Sequence, residues 1–153
     1  MMMFLSCLFA AYLSVAFGTD SPIVGILTLP CDFPAIPGYA PYRMVYCADM
    51  NESTTYLPAS YVKWLESGGA RVVPILADDS FENVRSLLHD LNGVLITGGS
   101  ADFDSTSIWW NQLNNILDTL RQFVADHSSP SRAIPLWATC LGFEGIQCVT
   151  AGK

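Results

Sequence analysis

The chain has 153 residues, with seven Lys and Arg against fourteen Asp and Glu, for a formal net charge of −7. Its basic residues are single and scattered, which argues against nucleic acid as a partner. Hydrophobic residues make up 51% of the sequence and charged ones 14%, which excludes a disordered chain and suits one compact globular domain.

Residues 1–18 hold the apolar run MMMFLSCLFAAYLSVAF and close on Ala16-Phe17-Gly18, so they read as a secretory leader with small residues near the cleavage point. The run carries no Lys or Arg ahead of it and approaches the ~20 residues of a bilayer span, so an uncleaved anchor is the competing reading. The mature domain is then residues 19–153. Of five cysteines, Cys7 leaves with the leader. Cys31 and Cys47 flank a Pro/Gly/Tyr-rich loop and can pair, whereas Cys140 and Cys148 lie in apolar surroundings that suit free thiols equally well. Asn51-Glu52-Ser53 is an N-glycosylation sequon in a polar loop, in agreement with export.

Residues 23–29, bounded by Pro22 and Pro30, predict a strand buried on both faces. Residues 30–55 are broken by Pro34, Pro37, Gly38 and Pro41 and predict an irregular segment over the rim of a site. A helix is predicted from about Thr55, with Pro58 in its first turn, Tyr61, Val62 and Leu65 at helical spacing, and Gly68-Gly69 as its stop. Residues 70–76 predict a second strand, which Pro74 assigns to a sheet edge or a strand end. Asp79, with Glu82 three residues on, resembles a capping box opening a helix through Val84, Leu87, Leu88 and Leu91, after which Asn92-Gly93 turns the chain.

Residues 93–97 predict a third strand that runs into Gly98-Gly99-Ser100, a candidate site wall because glycine adopts backbone angles closed to other residues. A longer helix over residues 107–126 carries Ile108, Leu113, Ile116, Leu117, Leu120, Phe123 and Val124 on one side, and its Trp109-Trp110 pair reads as core packing. A loop over 128–131, a strand over 133–138 and a helix from Leu141 complete the order. This alternation argues for βαβ units, a parallel sheet and right-handed crossovers, with ligands bound beyond the carboxyl ends of the strands.

The segment PLWATCLGFE sets the Cys140 thiol between an apolar strand and a helix start, with the small residues Ala138 and Gly142 two positions to either side. That is a nucleophile elbow with sulfur in place of the serine oxygen. Small flanks let the strained turn form, and the amino end of the helix favours a thiolate. The Leu141 amide and an amide of the Gly98-Gly99 loop would then face the oxyanion of a tetrahedral intermediate. The competing reading is a cysteine that only packs.

The stretches PIVGILT, SYVKWLESGGARVVPI, NGVLITGGSADF and PLWATCLGFE, in this order and at this spacing, resemble the γ-glutamyl hydrolase family and cover most of residues 22–144. The resemblance implies an α/β, flavodoxin-like fold, a parallel sheet with flanking helices related to class I glutamine amidotransferases. It implies hydrolysis of γ-glutamyl bonds in folate poly-γ-glutamates through a thioester on Cys140, with no metal and no cofactor. Within it Tyr61 matches a tyrosine near the active site, Gly98 and Gly99 the glycine loop, and Glu144 the glutamate of CLGFE. Glu144 equally reads as an acidic residue favouring a first helical turn, and Tyr61 as core. Ala138 stands where the family usually has glycine; it is still small, so the turn is expected to survive. The implied partner is a γ-glutamyl substrate, with no membrane contact once the leader is cleaved and a homodimer left open. The implied location is the extracellular space or a lysosome or vacuole.

A cysteine hydrolase of this kind needs a histidine to take the thiol proton and deliver one to the leaving amine. The family draws it from a His-Pro-Glu segment well beyond the elbow. The two histidines of this chain, His89 and His127, are not followed by Pro-Glu and read as surface or helix-end residues. The sequence therefore predicts an amino-terminal portion of such a hydrolase that alone hydrolyses slowly or not at all. The competing readings are the glutaminase part of a class I amidotransferase, against which the leader argues, and a non-catalytic homologue that binds polyglutamates.

Overall fold

The computed structural model describes residues 21–31, 55–126 and 133–152. The expected leader, the rim segment with Asn51, His127 and the 128–131 loop lie outside the described residues. Among the described residues the elements run β1 (Ile23–Leu27), β2 (Leu29–Pro30), β3 (Thr55–Tyr56), α1 (Ala59–Ser67), β4 (Arg71–Ile75), α2 (Phe81–Leu88), β5 (Gly93–Ile96), α3 (Ile108–Ala125), β6 (Leu136–Ala138) and α4 (Leu141–Ala151). Strands β4, β1, β5 and β6 form a parallel sheet in that order, an α/β, flavodoxin-like arrangement. Pro74 sits on the edge strand β4, where its missing N–H leaves no ladder bond unmade on the outer side.

Several boundaries differ from the sequence expectation, and α2 ends at Leu88 rather than running through Leu91. The run expected as one strand over 23–29 divides at Thr28. Its amide still donates to Ile75 O (2.9 Å), but its hydroxyl accepts from Ala77 N (2.9 Å), and Leu29 pairs instead with Tyr56 in the antiparallel β2–β3 ladder. The first helix starts at Ala59 rather than near Thr55, because Thr55-Tyr56 is that ladder's second strand and Pro58 caps the helix in an extended conformation. The cap of α2 is Ser80, not Asp79. The Ser80 hydroxyl accepts from Asn83 N (3.2 Å), while Asp79 reaches round to Ser80 N (2.7 Å) and Asn83 Nδ2 (2.8 Å). The last strand occupies only Leu136–Ala138 of the 133–138 run.

Register partners in a parallel ladder point to the same face, and alternate residues to opposite faces. Leu27, Ile75 and Ile96, in register, are buried with Val94, Val84, Leu88, Leu113, Ile116 and Trp109, so α2, α3 and α4 cover this face. Within α3 the expected apolar side is shifted: Ile108 and Val124 are exposed and Gln112 is fully buried. Gln112 is accommodated because its Nε2 donates to Leu76 O (3.2 Å) and Asp79 O (3.0 Å) and its Oε1 accepts from Asn115 Nδ2 (2.9 Å). Ile26 and Leu95, also in register, point to the opposite face and are equally buried. Helix α1 lies there, as a right-handed β1-to-β4 crossover requires. Its Trp64 meets Trp137 at 6.4 Å between ring centroids, and Trp137 points away from the core-facing Leu136 and Ala138.

Candidate active site

Only Thr139 and Cys140 separate the end of β6 from the start of α4, so the chain must reverse over two residues. Cys140 takes the strain, with φ 48° and ψ −119°, the one positive φ outside glycine among the described residues. Such a conformation costs roughly 1–3 kcal/mol. Thr139 N donates to Ile96 O (3.1 Å), Gly142 N to Thr97 O (3.1 Å) and Thr139 O (2.9 Å), and Glu144 N to Cys140 O (2.9 Å). At about 1 kcal/mol net each, these bonds are enough to hold the turn. Gly142 is required because α4 seats directly on the end of β5: a Cβ there would lie 2.6 Å from Ile96 O. The result is a free, exposed thiol at the carboxyl end of the sheet, on the residue that caps the start of a helix.

The glycine loop closes on it from β5. A Cβ on Gly98 would lie 2.9 Å from Tyr61 Oη, 3.0 Å from Cys140 Cβ and 3.7 Å from Cys140 Sγ, so only glycine lets the loop come this close. Gly98 N donates to Tyr61 Oη (3.0 Å), and Tyr61 Oη is 3.1 Å from Thr139 Oγ1. Tyr61 is thus half-buried at the site and not a member of the core. Gly99 is exposed and lies over Leu29. The rest of the loop is tied to α3: Phe103 stacks on Trp109 and Trp110 at 5.8 and 5.2 Å. Nearby, the hydroxyl and amide of Thr106 donate to the Asp104 carboxylate (2.6 and 2.8 Å) and hold it below the usual carboxylate range.

The Leu141 amide is the first of α4 and has no acceptor within the helix. Glu144 is exposed on the same first turn. His89 is elsewhere. Helix α2 runs from the carboxyl end of β4 back to the amino end of β5, and His89 caps its far end with its ring 4.6 Å from Phe123, so it lies at the opposite end of the sheet from Cys140. Cys148 is a half-buried free thiol two turns along α4, and Cys31 is disulfide-bonded. Among the described residues no three His, Cys, Asp or Glu side chains come together as a metal site. The residue missed by sequence reasoning is Thr139; its only local signal is its place in PLWATCLGFE beside the thiol. An exposed thiol on a strained turn at a helix start, with a glycine loop packed against it, is a geometry that acyl transfer can use.

A sequence model of the family described as Peptidase C26 matches residues 36–153. The chain is 36% identical over 132 residues to Gamma-glutamyl hydrolase B of Dictyostelium discoideum, a match that covers 86% of this chain and 33% of that protein. It is 33% identical over 132 residues to the Gamma-glutamyl hydrolase of Homo sapiens, covering 86% of this chain and 36% of that one. Over 80 residues it is 44% identical to the Gamma-glutamyl hydrolase of Glycine max, 52% of this chain and 20% of that protein. The chain spans about a third of the length of the first two of these curated relatives.

Proposed function

This chain belongs to the peptidase C26 family, and from that premise we propose that it is the nucleophile-bearing portion of a γ-glutamyl hydrolase, with Cys140 as the attacking group. The observation that carries the reading is the strained Cys140 backbone, held between β6 and α4 with its thiol exposed. Strain of this kind persists where the surrounding structure enforces it, and it clusters at active sites.

In the proposed reaction the Cys140 thiolate attacks the carbonyl carbon of a γ-glutamyl amide. The developing oxyanion is met by the Leu141 amide and an amide of the Gly98-Gly99 loop, fixed before the substrate arrives. The C–N bond then breaks, the amine leaves with a proton, and the glutamyl group remains as a thioester on Cys140. Water attacks the thioester, releasing the γ-carboxylate and the thiol. Glu144 and Tyr61, on the rim, are assigned to substrate binding and loop placement. His89, at the amino end of the sheet, is too far away to take the thiol proton. The proposal therefore assigns the base to a group outside the described residues, and expects this chain alone to acylate faster than it turns over.

The finer substrate assignment, folate poly-γ-glutamate, is supported by the resemblance carried by PLWATCLGFE and the glycine loop. Export to the extracellular space or a lysosome is supported by the composition of residues 1–18 and by the disulfide at Cys31. The test of the functional reading is transfer of a glutamyl group from a γ-glutamyl amide to Cys140, with the α-linked isomer as the control and Cys140→Ser as the blank. Equal transfer from the α-linked isomer would contradict it.

A further inference from the structure

Thr139 has no part in the reaction as written, yet its geometry is constrained on every side. Its amide donates to Ile96 O and its carbonyl accepts from Gly142 N, so its backbone is fixed both to β5 and to the start of α4. The half-buried hydroxyl is therefore presented from a rigid base. It lies 3.1 Å from Tyr61 Oη, and Tyr61 Oη accepts from Gly98 N at 3.0 Å. Three segments far apart in sequence, α1, the loop after β5 and the elbow after β6, meet in this one chain of hydrogen bonds.

We propose that Thr139 is a positioning residue: acting through Tyr61, it holds the Gly98-Gly99 loop against the nucleophile and commits the Gly98 N–H to the tyrosine. The purpose assigned to it rests on the functional reading above. An amide already donating to a tyrosine oxygen is a poor oxyanion donor, so the loop's contribution falls to Gly99, alongside Leu141. The loop has no slack, because a Cβ on Gly98 would meet both Tyr61 Oη and Cys140 Cβ within 3.0 Å. Displacement of the loop by a fraction of an ångström is felt at the sulfur, and acyl transfer is sensitive to misplacement on that scale.

The test is hydrogen exchange of the Gly98 amide, followed by NMR in the whole chain, with Ile26 of the central strand β1 as the reference for global unfolding. Thr139 is not bonded to Gly98, so a merely local role for its hydroxyl would leave Gly98 unmoved. Thr139→Val is expected to speed Gly98 exchange about fivefold relative to Ile26, the worth of one hydrogen bond. Tyr61→Phe should do at least as much, and Thr139→Ser should restore the native ratio. A ratio unchanged in Thr139→Val or in Tyr61→Phe, a rise matched by Ile26, or no rescue by Thr139→Ser would overturn the proposal. None of these readings depends on hydrolysis. Failure here is therefore distinct from failure of Cys140 to acylate, which would overturn the functional reading instead.

Discussion

Gly142→Ala tests the packing that creates the elbow. The new methyl would lie 2.6 Å from Ile96 O, 2.7 Å from Ile96 Cγ2 and 2.9 Å from Ile96 C, where ordinary contact begins near 3.4 Å. The obstacle is backbone of β5, a strand paired on both sides, and it cannot yield. Helix α4 must instead lift by roughly 0.8 Å at its first turn, which stretches the Gly142 N to Thr97 O bond from 3.1 Å beyond useful range and carries Cys140 with it. Overpacking of this kind costs ~1–3 kcal/mol, and the better helix propensity of alanine returns ~0.5–1. The net loss is about 1 kcal/mol, a fall in Tm of roughly 2–4 °C for a chain of this size. The assay is thermal melting by circular dichroism, paired with the rate of alkylation of Cys140 in a Cys148→Ser background. Gly145→Ala is the control expected to cost less, because its methyl meets the tip of the Leu113 side chain (2.7 Å) rather than backbone. A Gly142→Ala chain that melts within about 1 °C of the parent and alkylates at the same rate would show that α4 does not depend on this close approach to β5.

Two further substitutions test the frame that carries the site. Gln112→Leu keeps the size of the side chain but strips Leu76 O and Asp79 O of their shared donor; urea unfolding should show a loss of ~1–3 kcal/mol. Ser80→Ala removes the side-chain cap of α2 and should cost ~1 kcal/mol in the same assay, seen as a lower midpoint with an unchanged slope.

The parts of this fold that are legible in the sequence are those written in local pattern. Apolar runs of four to seven residues alternating with helical periodicity predict the parallel sheet, and Pro74 marks its edge strand. Small residues two places to either side of Cys140 announce the elbow, because the close approach of α4 to β5 leaves no room for a side chain at Gly142. What stays hidden is decided by contacts distant in sequence. The β2–β3 pair joins residues on either side of a long segment, so Thr55 reads as a helix start until Leu29 is seen opposite Tyr56. Asp79 and Ser80 are both good caps by residue type, and only the reach of the shorter hydroxyl to Asn83 N decides between them. Gln112 looks polar and outward on a helical wheel, but two carbonyls of the β4–α2 connection are waiting for its amide. The Tyr61–Thr139 contact spans 78 positions and leaves no periodic trace at all. His89 is readable as a helix end, but which end of the sheet it occupies follows only from the strand order.

The role of Cys140 as an acyl-accepting nucleophile can be read most directly by intact-mass analysis with peptide mapping. The chain is mixed with a γ-glutamyl anilide and quenched in acid before the thioester hydrolyses. One glutamyl acyl group should be found, mapped to Cys140 and matched by released aniline, and none in Cys140→Ser. An unmodified Cys140, or an acyl group found on Cys148 or surviving in the Cys140→Ser chain, would contradict it.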